Sequence, residues 1–236
     1  MGSISEQVRQ WACTRPFILE PMRIGIANLS AVARLAIEDL PTKDVPAVRA
    51  ALRRYGPTIL APYVPDLVRS ALTSSRIQTR SRVAIITLQQ GADVLRRLAD
   101  PVRDTLAAGM LCRIIQGTQG IVLNVDEDSV AQFTRRIGER QVISVRRNLG
   151  ELAVTGPTTI ADTRGLLALL SGILSANGFN IAQATVSYSD VIFLLPSTDL
   201  GRAGQLLGSL LEDVSASPRR FRRERTAVSA SRRKTK

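Results

Sequence analysis

The residue types best suited to chemistry gather in one loop, Gly156-Pro157-Thr158-Thr159-Ile160-Ala161-Asp162-Thr163-Arg164-Gly165. A short strand-like run, Glu151–Thr155, leads into it, and an apolar run with helical spacing, about Arg164–Ala176, leads out and stops at Gly178. A helix start leaves backbone N–H groups without intrahelical acceptors and carries the positive end of the helix dipole. Both suit a carboxylate. In this reading Asp162 or Thr163 caps the helix. Thr158, Thr159 and Thr163 offer hydroxyls, Asp162 takes an ammonium, and Arg164 pairs a carboxylate in bidentate fashion. Asn180 lies at the start of the next strand-like run and can hydrogen-bond the same ligand. This is chemistry for holding a small zwitterion. A plainer reading stands beside it, in which Gly156-Pro157 is only a turn and Asp162 only a cap.

Other candidate groups carry less. The chain of 236 residues has no histidine, which removes the commonest general base and metal ligand and every Ser-His or Cys-His pair. Cys13 and Cys112 stand far apart and offer neither metal spacing nor a disulfide framework. Asp126-Glu127-Asp128 precedes a helical run, where acidic residues suit the dipole. Gly117-Thr-Gln-Gly120 falls between two strand-like runs, so it reads as a hairpin loop and not a phosphate loop. Ser187-Tyr188-Ser189-Asp190 reads as another hairpin turn. No catalytic, metal or cofactor site emerges, and the chain reads as a regulator and not an enzyme. No apolar run approaches the ~20 residues of a membrane span, and no secretory leader is evident. A cytoplasmic location is the expectation.

The elements that must position the loop follow from periodicity. The predicted fold class is α+β: an N-terminal three-helix domain (residues 1–56), a connector (57–75), two tandem modules (76–147 and 148–214) and a disordered basic tail (215–236). In the first domain helices are predicted over Ser3–Cys13, Asn28–Leu40 and Val45–Tyr55, with Pro21 starting a further short one. The tight turn at Pro41-Thr42-Lys43 makes a helix-turn-helix plausible, with Arg49, Arg53 and Arg54 presented to DNA; the alternative is a packing module with ordinary charged faces. The modules share one order, strand–helix–strand–strand–helix–strand. The first runs from Arg76–Leu88 through a helix kinked or restarted at Pro101, a hairpin, Ser129–Ile137 and Gln141–Arg147. The second runs from Leu149–Thr155 through the loop and its helix, Phe179–Val186, Val191–Leu195 and a helix over Asp199–Leu211. It lacks an obvious final strand: either a very short one lies at Glu212–Ser217, or the sheet is completed by the other copy or by another subunit.

The formal net charge is +12, but residues 218–236 hold nine Lys/Arg and one Glu, so +8 of it sits in the tail. Such a segment cannot build a core. It reads equally as a non-specific nucleic-acid contact or as a solubilising terminus.

Residues Leu152–Leu195 resemble the ACT domain, the small ferredoxin-like βαββαβ module that binds amino acids in metabolic regulators. The resemblance rests on the strand Leu152–Thr155, the Gly156-Pro157 loop, Gly165-Leu166-Leu167 at the helix start and Asn177-Gly178-Phe179-Asn180-Ile181 at its end. Arg164 stands where the family usually has proline. Residues 83–147 fit the same plan without the glycine signature, as a degenerate ACT-like unit. With Asn28–Leu40 and Val45–Tyr55 included, the chain is similar to archaeal ACT proteins predicted to regulate amino-acid metabolism. The resemblance implies an amino-acid ligand held by Gly156, Thr158, Asp162, Thr163, Arg164, Gly165, Leu166, Asn180 and Ile181. It also implies association of copies through the ACT modules. The function it implies is amino-acid sensing coupled to a DNA-binding helical domain, or, without DNA, control of an enzyme by contact.

Overall fold

The computed structural model describes residues 3–59 and 65–216. The basic segment 218–236 and connector residues 60–64 lie outside the described residues. The chain divides into two compact units, residues 1–62 and 63–236, and each is taken by itself.

Among its described residues the first unit holds four α-helices: the three expected and the further short one, which starts earlier than Pro21. Ser3 opens α1 (Ile4–Cys13) by accepting the Glu6 N–H on its hydroxyl at 3.3 Å. The added helix, α2 (Pro16–Arg23), begins at Pro16, whose fixed φ and missing N–H suit a first helical position. Pro21 therefore lies inside this helix and does not start it. Ile18 and Met22, four residues apart, bury together on its inner face, which offsets the one hydrogen bond that Pro21 cannot make. Asn28 caps α3 (Leu29–Asp39) through Ser30 and Ala31, and Asp44 caps α4 (Val45–Tyr55) through Ala47. Val8, Trp11, Ala33, Ala36, Val48 and Leu52 are buried at the centre. The Trp11 indole N–H donates to Asp39 at 2.8 Å, Arg15 donates to the same carboxylate at 2.7 Å, and the Arg15 guanidinium lies 4.5 Å over the Trp11 ring.

Among its described residues the second unit is built on one antiparallel sheet of six strands. Its elements in chain order are α5 (Pro65–Thr73), β1 (Arg76–Leu88), α6 (Ala92–Ala107), β2 (Cys112–Gln116), β3 (Ile121–Asp126), α7 (Val130–Ile137), β4 (Val142–Thr155), α8 (Leu166–Ala176), β5 (Gln183–Ser187), β6 (Asp190–Pro196) and α9 (Leu200–Ala216). The strand order is β2-β3-β1-β4-β6-β5. β1 and β4 are long and pair along their lengths, from Arg76↔Thr155 to Leu88↔Val142. The two modules are therefore interlocked and not tandem. The C-terminal half of β1 begins the first βαββαβ circuit, and the N-terminal half of β4 ends it. The C-terminal half of β4 begins the second, and the N-terminal half of β1, Arg76–Arg80, supplies the strand that the second circuit lacked in sequence.

The β1–β4 pairing has three register shifts, two of which lie where the circuits exchange. Between Arg80↔Glu151 and Val83↔Leu149 the extra residue is on β1; between Val83↔Leu149 and Ile85↔Arg146 it is on β4. Arg82 and Asn148 take φ of 58° and 57° there. An inserted residue reverses the alternation of side chains. Ile77 and Thr79 thus share a face with Ala84 and Ile86, and α6, α7, α8 and α9 all pack on that face. The first helical layer closes over Ala84, Ile86, Leu123 and Phe133. The second, joined by α5, closes over Leu152, Val154, Leu170, Phe193 and Leu207. Pro101 does not interrupt α6, which runs unbroken from Ala92 to Ala107 with Pro101 buried. On the opposite face Val83, Ile85, Leu149 and Leu194 form a small apolar patch. Beside it the carboxylate of Glu151 is buried and paired with both terminal guanidinium nitrogens, Nη1 and Nη2, of Arg113 from β2. No helix among the described residues is long and apolar enough to cross a membrane.

Candidate functional site

The loop from β4 to α8 forms one wall of a cleft of about 420 Å³. Ile160, Ala161, Asp162, Thr163, Arg164 and Gly165 line it from the loop, Leu167 and Ala168 from the first turn of α8, and Val186 and Val191 from the β5–β6 hairpin. Three features of the local fold set this shape. Thr158–Ile160 wind into a 3₁₀ turn that drops Ile160 into the core. Gly165 takes φ +81°, a left-handed conformation natural to glycine, which turns the chain into α8. Pairing of β4 with β6, Val154↔Val191 and Thr155↔Asp190, brings the hairpin end alongside the loop. The Thr155 hydroxyl donates to the Asp190 carboxylate at 2.6 Å, and the Gly156 N–H donates to the Ser189 carbonyl at 2.8 Å.

Helix α8 begins at Leu166, two residues later than its spacing suggested, and neither Asp162 nor Thr163 caps it. The reason is local. The Thr163 hydroxyl donates backward to the Thr159 carbonyl at 2.9 Å, and the Thr163 carbonyl accepts from Leu166 N–H. The cap position belongs to Gly165, which has no side chain to offer. The Leu169 N–H reaches the Gly165 carbonyl at 2.9 Å, but those of Leu167 and Ala168 meet no backbone acceptor among the described residues. The helix thus presents two uncapped donors at the residues that line the cleft.

Of the expected ligand contacts, Asp162, Thr163, Arg164 and Gly165 come together in the cleft. The others are placed elsewhere. A side chain at Gly156 would lie 2.3 Å from the Ser75 hydroxyl, so this glycine serves a close packing contact. Thr158 is exposed on the 3₁₀ turn. Leu166 is buried in the core and Ile181 packs against it. Asn180 is exposed and lies before β5, which starts at Gln183 and not at Phe179; Phe179 is instead held in the core. The residues that sequence reasoning missed are Ile160, Ala161, Leu167, Ala168, Val186 and Val191. Only the last two left a signal: they stand symmetrically about the predicted turn, and they pair directly.

The corresponding loop of the first circuit is shorter. Only Gln89, Gln90 and Gly91 separate β1 from α6, against the ten residues 156–165 between β4 and α8. Among the described residues no group of three His, Cys, Asp or Glu side chains could hold a metal ion. Cys112 packs against the first helical layer, where burial pushes its thiol pKa up. In the first unit Arg49, Arg53 and Arg54 are exposed on α4. Arg49 donates to the Ser30 hydroxyl at 3.4 Å and Arg54 to the Ser5 hydroxyl at 2.9 Å.

No protein-family model matches the chain. No curated protein sequence matches it either. Among solved structures it is similar to the aspartate kinase of Clostridium acetobutylicum, at 16% identity and a TM-score of 0.47, over 56% of this chain and 34% of that one. It is similar to the ligand-free regulatory subunit of aspartate kinase from Thermus thermophilus, at 18% identity and a TM-score of 0.45, over 56% of this chain and 94% of that one. Similarity to E. coli aspartokinase III in complex with lysine and aspartate is 20% identity with a TM-score of 0.42, over 57% of this chain and 32% of that one. The chain thus spans about a third of the two whole kinases. At these identities no ligand or activity carries across.

Proposed function

We propose that this protein is an amino-acid-responsive regulator whose ligand sits in the cleft between the β4–α8 loop and the β5–β6 hairpin. The observation that carries the reading is the gathering of Asp162, Thr163, Arg164 and Gly165 around one cleft at an uncapped helix start. An α-carboxylate is held by Arg164 and the first turn of α8, where both the charge and the dipole favour it. An α-ammonium is held by Asp162, with the Thr163 oxygen, already donating its hydrogen to Thr159, free to accept. Arg164→Ala is expected to weaken amino-acid affinity about tenfold or more, since hydrogen bonds to charged groups contribute about 1.5–3 kcal/mol. Isothermal titration of the full chain checks this, and unchanged affinity would remove Arg164 from the site.

A ligand shifts a regulator only if it binds one arrangement better than another. The β4–α8 loop is suited to this, because β4 and β1 belong to both circuits and link the cleft wall to the whole sheet. A second copy fits the same reading, since β5 lies at the sheet edge with one side unpaired among the described residues. The output is assigned to the helical unit. Its DNA-binding form draws on the exposed Arg49 and Arg53, one helical turn apart on α4. A gel shift at low salt with residues 218–236 deleted is expected to retain duplex binding that Arg49→Ala/Arg53→Ala abolishes. If the deleted chain binds no duplex, the output is contact with a regulated enzyme.

A further inference from the structure

The walls of the cleft differ in chemistry, and the difference bears on which amino acid it takes. The charged and hydroxyl side chains, Asp162, Thr163 and Arg164, are consecutive and belong to the loop. Facing them are the aliphatic side chains of Val186 and Val191, with Ile160 and Leu167 completing the apolar part. Val191 and Ile160 are buried, whereas Val186, on the edge strand, is 36% exposed and has apolar surface left to cover.

We infer that the ligand is a neutral amino acid with an aliphatic side chain of valine to leucine size. The inference rests on the amino-acid reading of this cleft and narrows it. One carboxylate and one guanidinium match the two charges of a zwitterion and leave no further charged group in the lining. A lysine or aspartate side chain would have to place its charge against Val186 and Val191, which is costly without a partner. Glycine or alanine would leave that wall wet. Each methylene buried there raises affinity about fourfold, so valine should bind on the order of tenfold more tightly than alanine, and leucine or isoleucine more tightly still.

The test is isothermal titration of the full chain with L-leucine, L-isoleucine, L-valine, L-alanine, L-lysine and L-aspartate, repeated on Val186→Thr and Val186→Asp. The first substitution keeps the shape and β-branching on an edge strand, so the fold is retained; the second adds a carboxylate to the apolar wall. Expected are affinities falling from leucine and isoleucine through valine to alanine, with no binding of lysine or aspartate. Val186→Thr lowers leucine affinity severalfold, and Val186→Asp reverses the preference between leucine and lysine. Binding of lysine or aspartate as tight as that of leucine, and weakened by Arg164→Ala, would overturn the aliphatic assignment and leave the amino-acid reading intact. Absence of binding by any of the six would overturn both.

Discussion

Replacing Arg113 by alanine is expected to destabilise the six-stranded unit by about 2–3 kcal/mol. Arg113 is one-third exposed, but its partner Glu151 is only 7% exposed, on a face occupied by Val83, Ile85, Leu149 and Leu194. Removing the guanidinium strands a carboxylate that has little access to water. Removing the carboxylate instead leaves a guanidinium that can swing to solvent, so Glu151→Leu should cost about 1 kcal/mol. Replacing both, as Arg113→Met/Glu151→Leu, should recover most of the loss, because an apolar pair needs no desolvation of charge. The pair joins β2 of the first circuit to β4 across β3 and β1, so it also ties the two circuits together. Equilibrium denaturation in urea measures all three variants. Equal losses for the two single variants would show that the carboxylate is not the stranded group.

Replacing Gly165 by valine is expected to abolish amino-acid binding while the sheet stays folded. Gly165 sits at φ +81°. A left-handed backbone costs an ordinary residue roughly 1–2 kcal/mol, and a β-branched side chain is a genuine outlier there. The chain relieves that strain by rotating the segment that aims Arg164 and the first turn of α8. The buried stripe of α8, Leu166, Leu170 and Leu174, continues to hold the helix on the sheet. Binding is therefore lost through geometry and not through unfolding. Gly165→Asn, which tolerates the left-handed region, should retain most of the affinity. Arg53→Ala, in the other unit, should leave it unchanged. Thermal-shift titration of the three variants separates these cases, and full binding by Gly165→Val would show that the glycine conformation is not required.

The parts of this fold that were legible in sequence are local. The hairpins could be read because apolar alternation brackets turn residues, as at Ile121–Val125 and about Ser187–Asp190. The apolar stripes of α6 and α9 repeat every three to four residues. What could not be read is the exchange of strand halves. Arg76, Gln78, Thr79 and Arg80 are polar, with only Ile77 marking a core face, and their partners on β4 lie some 70 residues away. Asn148 falls between the two predicted strands Gln141–Arg147 and Leu149–Thr155; it is a bulge inside one strand, and its positive φ bends the chain without ending it. At the site, four consecutive residues were visible because charge and hydroxyls in one loop need no tertiary information. The hairpin wall was not, since only the β4–β6 pairing brings Val186 and Val191 to the loop. The helix start was placed too early because Thr163 carries a capping side chain that the folded loop uses elsewhere.

The central claim is that the β4–α8 cleft binds an amino acid through Arg164 and Asp162. Its most direct test is calorimetric titration of the full chain with L-leucine, beside the same titration of Arg164→Ala/Asp162→Ala. The predicted result is saturable one-to-one binding that the double substitution removes, with the melting temperature of the ligand-free variant within a few degrees of the parent. Binding that survives the double substitution undiminished would place the ligand elsewhere and contradict the account.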